Sequence, residues 1–257
     1  MYPELIKIGP ITIHSFGVMA MLGFLIPTLI LRREFQRLNL NPDLANNIAV
    51  AAIIGGFVGA RLYFIIEHWS EFLQKPLAMI FSGAGLVWYG GFIGGVAAVI
   101  WMIRRSQQSI LQIGDYVAPL VLLGYGIGRI GCHLAGDGDY GPPTDVPWAV
   151  SYPKGVVPTT ELVHPTPIYD FLLSILFFTL LWKFRTKTVY KGQLMALAFM
   201  AAGVERFITE FFRTTPKIPG LGITHAQTIS LVVIVAGLVI LKNLKTWNLG
   251  KATTKSS

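Results

Sequence analysis

The chain has 257 residues, of which 53% are hydrophobic and only 13% charged. A soluble domain carries about 25% charged residues, so this supply could not cover a globular surface and a soluble fold is excluded. The net charge of +8 would suggest nucleic acid in a soluble protein. In a membrane protein basic residues gather in cytoplasmic loops instead, and no nucleic-acid partner is expected.

Residues 1–10 are short, carry Glu4 and lack a small-residue cleavage motif, so no cleavable signal is expected. Apolar runs then recur near 15–33, 44–66, 86–103, 114–134, 167–184, 193–212 and 226–242. Each approaches the roughly 17–25 residues that a helix needs to cross the hydrocarbon. The expected fold class is all-α, a polytopic integral membrane protein of about seven transmembrane helices. Between the fourth and fifth runs, residues 135–167 hold GDGDYGPP at 136–143, residues that make turns and defeat helices. With Tyr140, Trp148 and Tyr152 this segment reads as a small interfacial cap. The whole of 1–257 is expected to form one transmembrane domain, with 251–257 a disordered tail.

Basic residues sort by loop. Arg32, Arg33 and Arg37 follow the first run, Arg104 and Arg105 the third, Lys183, Arg185, Lys187 and Lys191 the fifth, and Lys242, Lys245, Lys251 and Lys255 the seventh. The alternate loops hold far fewer. The positive-inside rule therefore predicts an N-terminus outside, a C-terminus in the cytoplasm and an extracytoplasmic cap. Alternation of this kind also requires an odd number of spans.

Three arginines, Arg61, Arg129 and Arg206, fall within expected spans. An arginine at the bilayer centre costs about 2.5–3.5 kcal/mol on insertion scales, which marks it for function unless it snorkels to an interface. Arg206 has Glu205 beside it and Glu210 at i+4 on the same helical face. Arginines converging on an internal cavity suit a phosphate, which the guanidinium fork can hold bidentately.

The glycines of GYGIGRIG (124–131) formally contain GxGxxG, but no strand precedes them, and a dinucleotide site is rejected. Close helix packing is the structural expectation here and for Gly55/Gly59, Gly90/Gly94 and Gly91/Gly95. His133, Asp137, Asp139 and His164 gather around the cap and match no strong metal-ligand spacing, so no metal is expected. One of them is instead a candidate to take a thiol or hydroxyl proton, the plainer alternative being turn and helix capping. Single Cys132 excludes an intrachain disulfide. His14, Tyr63, Tyr89, Tyr169 and Gln227 stand at span ends, as interfacial anchors or interhelical hydrogen-bond partners.

GRIG (128–131) running into a Gly-Asp loop, WYGGFIGG (88–95), HPTPIYD (164–170) and RFITEFFR (206–213) together resemble the bacterial prolipoprotein diacylglyceryl transferase family. The resemblance extends from HSFG (14–17) to AQTIS (226–230), in order. It implies transfer of a diacylglyceryl group from phosphatidylglycerol to the lipobox cysteine thiol of a prolipoprotein, with release of glycerol phosphate. The implied partners are that lipid, the lipobox peptide and the surrounding membrane lipid of the bacterial inner membrane, with no cofactor. It further implies that Arg129 and Arg206 hold the phosphate, that Glu210 orients Arg206, and that His164 and Tyr169 line the site with Arg61, Gly90, Gly91, His14 and Gln227. Tyr89, His133 and Asp137 stand at positions expected to serve catalysis. Three departures from the common pattern matter. Tyr89 stands where many members have histidine, Cys132-His133 where many have Asn-Phe, and Phe16 where tyrosine is common. The alternatives are a divergent relative with the same donor and another acceptor, or an anion transporter.

Overall fold

A computed structural model describes residues 1–81 and 85–253, except the side chains of 11, 78, 81 and 245–253. In chain order the elements are strands β1 (Glu4–Ile8) and β2 (Ile11–His14), then helices α1 (Ser15–Arg37), α2 (Asp43–Glu67), α3 (Trp69–Gln74), α4 (Pro76–Phe81), α5 (Trp88–Arg105) and α6 (Ile110–Ala135). Strands β3 (Val150–Tyr152) and β4 (Thr159–Val163) follow, then α7 (Thr166–Phe184), α8 (Gln193–Thr209), a 3-10 turn at Glu210–Phe212, and α9 (His225–Thr253). The structure is mostly helical. Among the described residues five helices, α1, α2, α6, α7 and α9 as far as Leu244, are long and apolar enough to cross a membrane. Large apolar side chains such as Phe57, Phe92, Leu176 and Val232 stand exposed, as lipid contact permits. The tail expected at 251–257 overlaps the end of α9, and 254–257 lie outside the described residues.

The chain divides into two compact units, 28–113 and a second made of 1–27 with 114–257. In the first, α2 and α5 are zipped by the small-residue spacing seen in the sequence. A side chain on Gly59 would strike the Gly90 carbonyl and lie 2.8 Å from the Gly94 Cα, and one on Gly55 would lie 2.6 Å from the Gly94 carbonyl. Backbones approach this closely only where both helices lack side chains, and van der Waals contact between them then replaces a hydrophobic drive that lipid does not supply.

In the second unit the glycines of α6 do the same for two neighbours. Gly124 faces the Gly23 carbonyl, Gly131 meets Phe16 and Met19, and Gly126 meets Ser174 of α7. The GxGxxG run is thus a packing surface inside a helix. At the other end of α6, Asp115 reaches 77 residues along the chain and accepts the Gly192 N–H at 2.7 Å and the Met195 N–H at 2.8 Å. Those amides belong to the unsatisfied first turn of α8, so the carboxylate caps a helix other than its own. Gly203 and Gly237 seat α8 against α9.

The remaining ends of this unit are tied together. The Tyr2 N–H donates to the Leu134 carbonyl at 3.1 Å, and the Ser15 N–H to the Pro3 carbonyl at 3.0 Å, which anchors the β1–β2 hairpin to the end of α6. Beyond α6, residues 136–165 fold as an irregular segment around the β3–β4 pair, with Pro143 bridged to Val163. Gly136 and Gly138, at φ of 60° and 94°, turn the chain out of α6.

Candidate active site

Four charged side chains close into a ring at the end of α6. The Arg129 Nε–H donates to Asp170 Oδ2 at 2.6 Å, and Arg129 Nη1 donates to Asp139 Oδ2. From the far side, Arg213 Nη1 donates to Asp139 Oδ1 at 3.0 Å and Nη2 to Asp170 Oδ2 at 2.7 Å. Two guanidiniums thus alternate with two carboxylates, and the ring is neutral as a whole. Its four members come from α6, the loop beyond it, the second turn of α7 and the residue after the 3-10 turn. Asp170 is fully buried, whereas the Asp139 side chain is 38% exposed. Burial alone would raise the Asp139 carboxyl, but the Arg129 and Arg213 guanidiniums outweigh it and hold the group below its usual range. Around this core, Tyr125 lies one turn back from Arg129, its ring 5.7 Å from the guanidinium carbon. Glu205 and Thr209 of α8 lie beside Asp170.

A second pair stands on α8. Arg206 meets Glu210 at 2.8 Å, with the arginine side chain 33% exposed and the carboxylate fully buried. Glu210 is held in turn by Thr224, whose hydroxyl donates to Oε1 at 2.9 Å. Thr224 also caps α9. Its N–H donates to Gln227 Oε1 at 3.0 Å, and the Gln227 N–H donates to its hydroxyl at 3.2 Å, the reciprocal pair of a capping box. The carboxamide of Gln227, expected at the substrate, therefore serves a helix terminus.

Each of the two histidines sets Nδ1 against a tyrosine hydroxyl. Tyr169 Oη accepts the Trp148 Nε1–H at 2.7 Å and lies 3.0 Å from His164 Nδ1. With the Tyr169 proton directed to that nitrogen, His164 is the Nε2–H tautomer; with Nδ1–H directed to Tyr169, whose oxygen has a second lone pair, Nε2 keeps its own. His133 Nδ1 lies 2.9 Å from Tyr152 Oη. Burial first, and the Asp137 carboxylate next, push the Tyr152 phenol above its ordinary value, so it stays protonated. A phenol can also accept, and with Nδ1–H directed at Tyr152 the His133 Nε2 lone pair is available.

His133 and Tyr169 line a cavity of about 580 Å³ with Trp148, Val150, Pro165, Ile168 and Leu172. Its wall is otherwise apolar, and Trp148 and Leu172 at it are exposed. Phe212 closes against both His164 and Tyr169, ring centres 5.4 and 5.3 Å apart.

Of the residues singled out from the sequence, Arg129, Arg206, Glu210, His133, Asp137, His164, Tyr169, His14 and Gln227 lie in this unit. Asp137 is next to the ring, where its carboxylate accepts the Asp139 N–H at 3.3 Å. His14 ends β2, paired with Glu4. Arg61, Tyr89, Gly90 and Gly91 belong to the other unit. There Arg61 donates to the Gly85 carbonyl at 3.2 Å, and Gly90 is packed against Gly59 and Tyr63. The arginine that joins Arg129 is Arg213, placed by the sequence only at a span edge. Asp170 and Arg213 were visible inside their motifs, but their 43-residue separation gave no sign that they pair.

A helical membrane protein with a buried arginine–carboxylate centre at its helix ends is the class that fold and site define. Comparison with known proteins makes it particular. The family model for prolipoprotein diacylglyceryl transferase matches residues 3–242. A phosphatidylglycerol–prolipoprotein diacylglyceryl transferase of Clostridium tetani is 35% identical over 245 residues, covering 93% of this chain and 96% of the relative. Relatives of the same name from Nitrosospira multiformis and Pseudoalteromonas atlantica are 33% and 31% identical, over 93% of this chain and 85% and 88% of theirs. The chain belongs to the prolipoprotein diacylglyceryl transferase family.

Proposed function

We propose that this protein transfers the diacylglyceryl group of phosphatidylglycerol to the lipobox cysteine thiol of a prolipoprotein. The near-complete family match carries this reading. The thiol sulfur attacks the glyceryl carbon that bears the phosphate, a C–S bond forms, the C–O bond breaks, and glycerol phosphate leaves with the bond's electron pair.

The chain's own residues supply what that reaction needs. Arg206 is the phosphate ligand, because it is partly exposed and meets a single carboxylate. Glu210, held by Thr224, orients it. Arg129, already engaged by two carboxylates, adds positive potential where charge develops on the leaving oxygen, an effect strongest in a water-poor site. His133 takes the thiol proton on Nε2. The apolar cavity beside it receives substrate chain, and His164 with Tyr169 shapes its wall. All seven long helices, α1, α2 and α5–α9, span the inner membrane with the N-terminus outside, as the loop charges favour. The ring, the 136–165 segment and the hairpin then share the outer side, where secreted substrates arrive.

Following glycerol phosphate release from phosphatidylglycerol tests the reading. Release is expected with a lipobox peptide and absent with its Cys-to-Ser counterpart. Release equal with both peptides would reject the thiol acceptor and favour a relative that uses another one.

A further inference from the structure

We propose that Asp139 occupies the seat between Arg129 and Arg213 as an internal substitute for a phosphate monoanion, and yields it by side-chain rotation when one enters. The proposal rests on the phosphate-ester chemistry of the preceding section and adds, to the Arg206 ligand assigned there, an exchangeable seat between Arg129 and Arg213.

The two carboxylates of the ring are not equivalent. Asp170 is fully buried and gives one oxygen to both arginines. Asp139 spreads its two oxygens over the two guanidiniums, as a phosphate would, and is 38% exposed. Among the ring's buried donors Arg213 Nε has no hydrogen-bond partner among the described residues, whereas Arg129 Nη2 already lies 2.6 Å from the shared Asp170 Oδ2. A phosphate brings more acceptor oxygens than a carboxylate and meets guanidiniums in the same forked geometry.

Charge decides between addition and exchange. The ring is neutral, so an anion added to it would stand beside two carboxylates with no cation to spare. A phosphodiester monoanion that replaces Asp139 leaves the balance unchanged, and glycerol phosphate, at about −1.5 to −2 near pH 7, exceeds it by at most about one charge. The backbone of Asp139 is pinned, since its carbonyl accepts the Thr166 hydroxyl, its N–H donates to Asp137, and the Gly141 N–H donates to the His164 carbonyl at 2.8 Å. The movable part is the side chain, and rotamer changes of exposed side chains take picoseconds to nanoseconds. The carboxylate therefore keeps the arginines paired and in place between turnovers, and it competes with both the lipid phosphate and the released glycerol phosphate.

Thermal unfolding of full-length protein in neutral detergent, at matched ionic strength, tests this. In chloride, Asp139→Ala is expected to unfold below wild type, because two buried arginines lose a counter-charge. Glycerol phosphate should then restore the midpoint at concentrations about tenfold or more below those that shift wild type, since no internal competitor has to leave. Micelles doped with phosphatidylglycerol against diacylglycerol separate a lipid source of the phosphate from the soluble one. If Asp139→Ala does not fold in chloride, Asp139→Asn carries the same comparison. A lowered midpoint that no phosphate restores would overturn the exchange and leave Asp139 a fixed clamp. Transfer by wild type without phosphate rescue of the variant would count against the exchange alone. Rescue without transfer by wild type would support the exchange and count against the proposed function.

Discussion

Replacing Asp170 by alanine removes the carboxylate that two guanidiniums share. Arg129 and Arg213 are almost as buried as it is, with side-chain exposures of 11% and 9%. Neither can turn to water when the acid is lost, and the partly exposed Asp139 is left to serve both. Breaking a buried ion pair by deleting one partner costs about 3–5 kcal/mol, because the surviving charge is stranded. Each kcal/mol moves the midpoint of a 150–250-residue protein by about 2–4 °C, so a fall of roughly 6–20 °C is expected. The assay is thermal unfolding in detergent, with Asp139→Ala as the comparison. Asp139→Ala should fall by less, since its carboxylate is already partly hydrated. An Asp170→Ala midpoint within about 2 °C of wild type would refute the ring as a stabilising centre.

Three further outcomes follow from other contacts. Asp115→Ala should destabilise by about 1–3 kcal/mol by orphaning the first turn of α8, with faster hydrogen exchange at the Gly192 and Met195 amides; unchanged exchange there would reject the cross-helix cap. Gly59→Leu should abolish folded yield, whereas Gly128→Ala, with nothing within 4 Å of the new methyl among the described residues, should be neutral or stabilising by up to about 1 kcal/mol. Equal damage from both would contradict the packing of α2 on α5. Because Asp139 has its carboxyl held below the ordinary value of about 3.9, its contribution is complete above that value and is lost as pH falls through the lower folded one. Wild type should lose stability below about pH 4, and Asp139→Asn should show a shallower acid loss; identical acid limbs would refute this assignment.

The sequence disclosed the helices because lipid leaves an unambiguous mark: long apolar runs, with basic residues sorted by loop. It disclosed the packing glycines for a similar reason, since a four-residue spacing places two small residues on one helix face. Arg206 and Glu210 were legible because i and i+4 are neighbours by helix geometry alone. The ring was not. Arg129, Asp139, Asp170 and Arg213 lie on different segments, and only tertiary structure decides that Arg129 joins Arg213. Asp115 escaped notice for the same reason, its partners lying on another helix. The capping use of Gln227 was not legible, because a polar group at a helix start can face a ligand or its own first turn, and its Oε1 here accepts the Thr224 N–H.

The most direct measurement follows acyl label from phosphatidylglycerol to a lipobox peptide, using purified protein in mixed micelles, wild type against Arg206→Ala. The account predicts label on the cysteine peptide with wild type, and transfer reduced by about 100-fold or more in the variant, as for loss of one key charge-stabilising donor. Full transfer by a folded Arg206→Ala protein would contradict it.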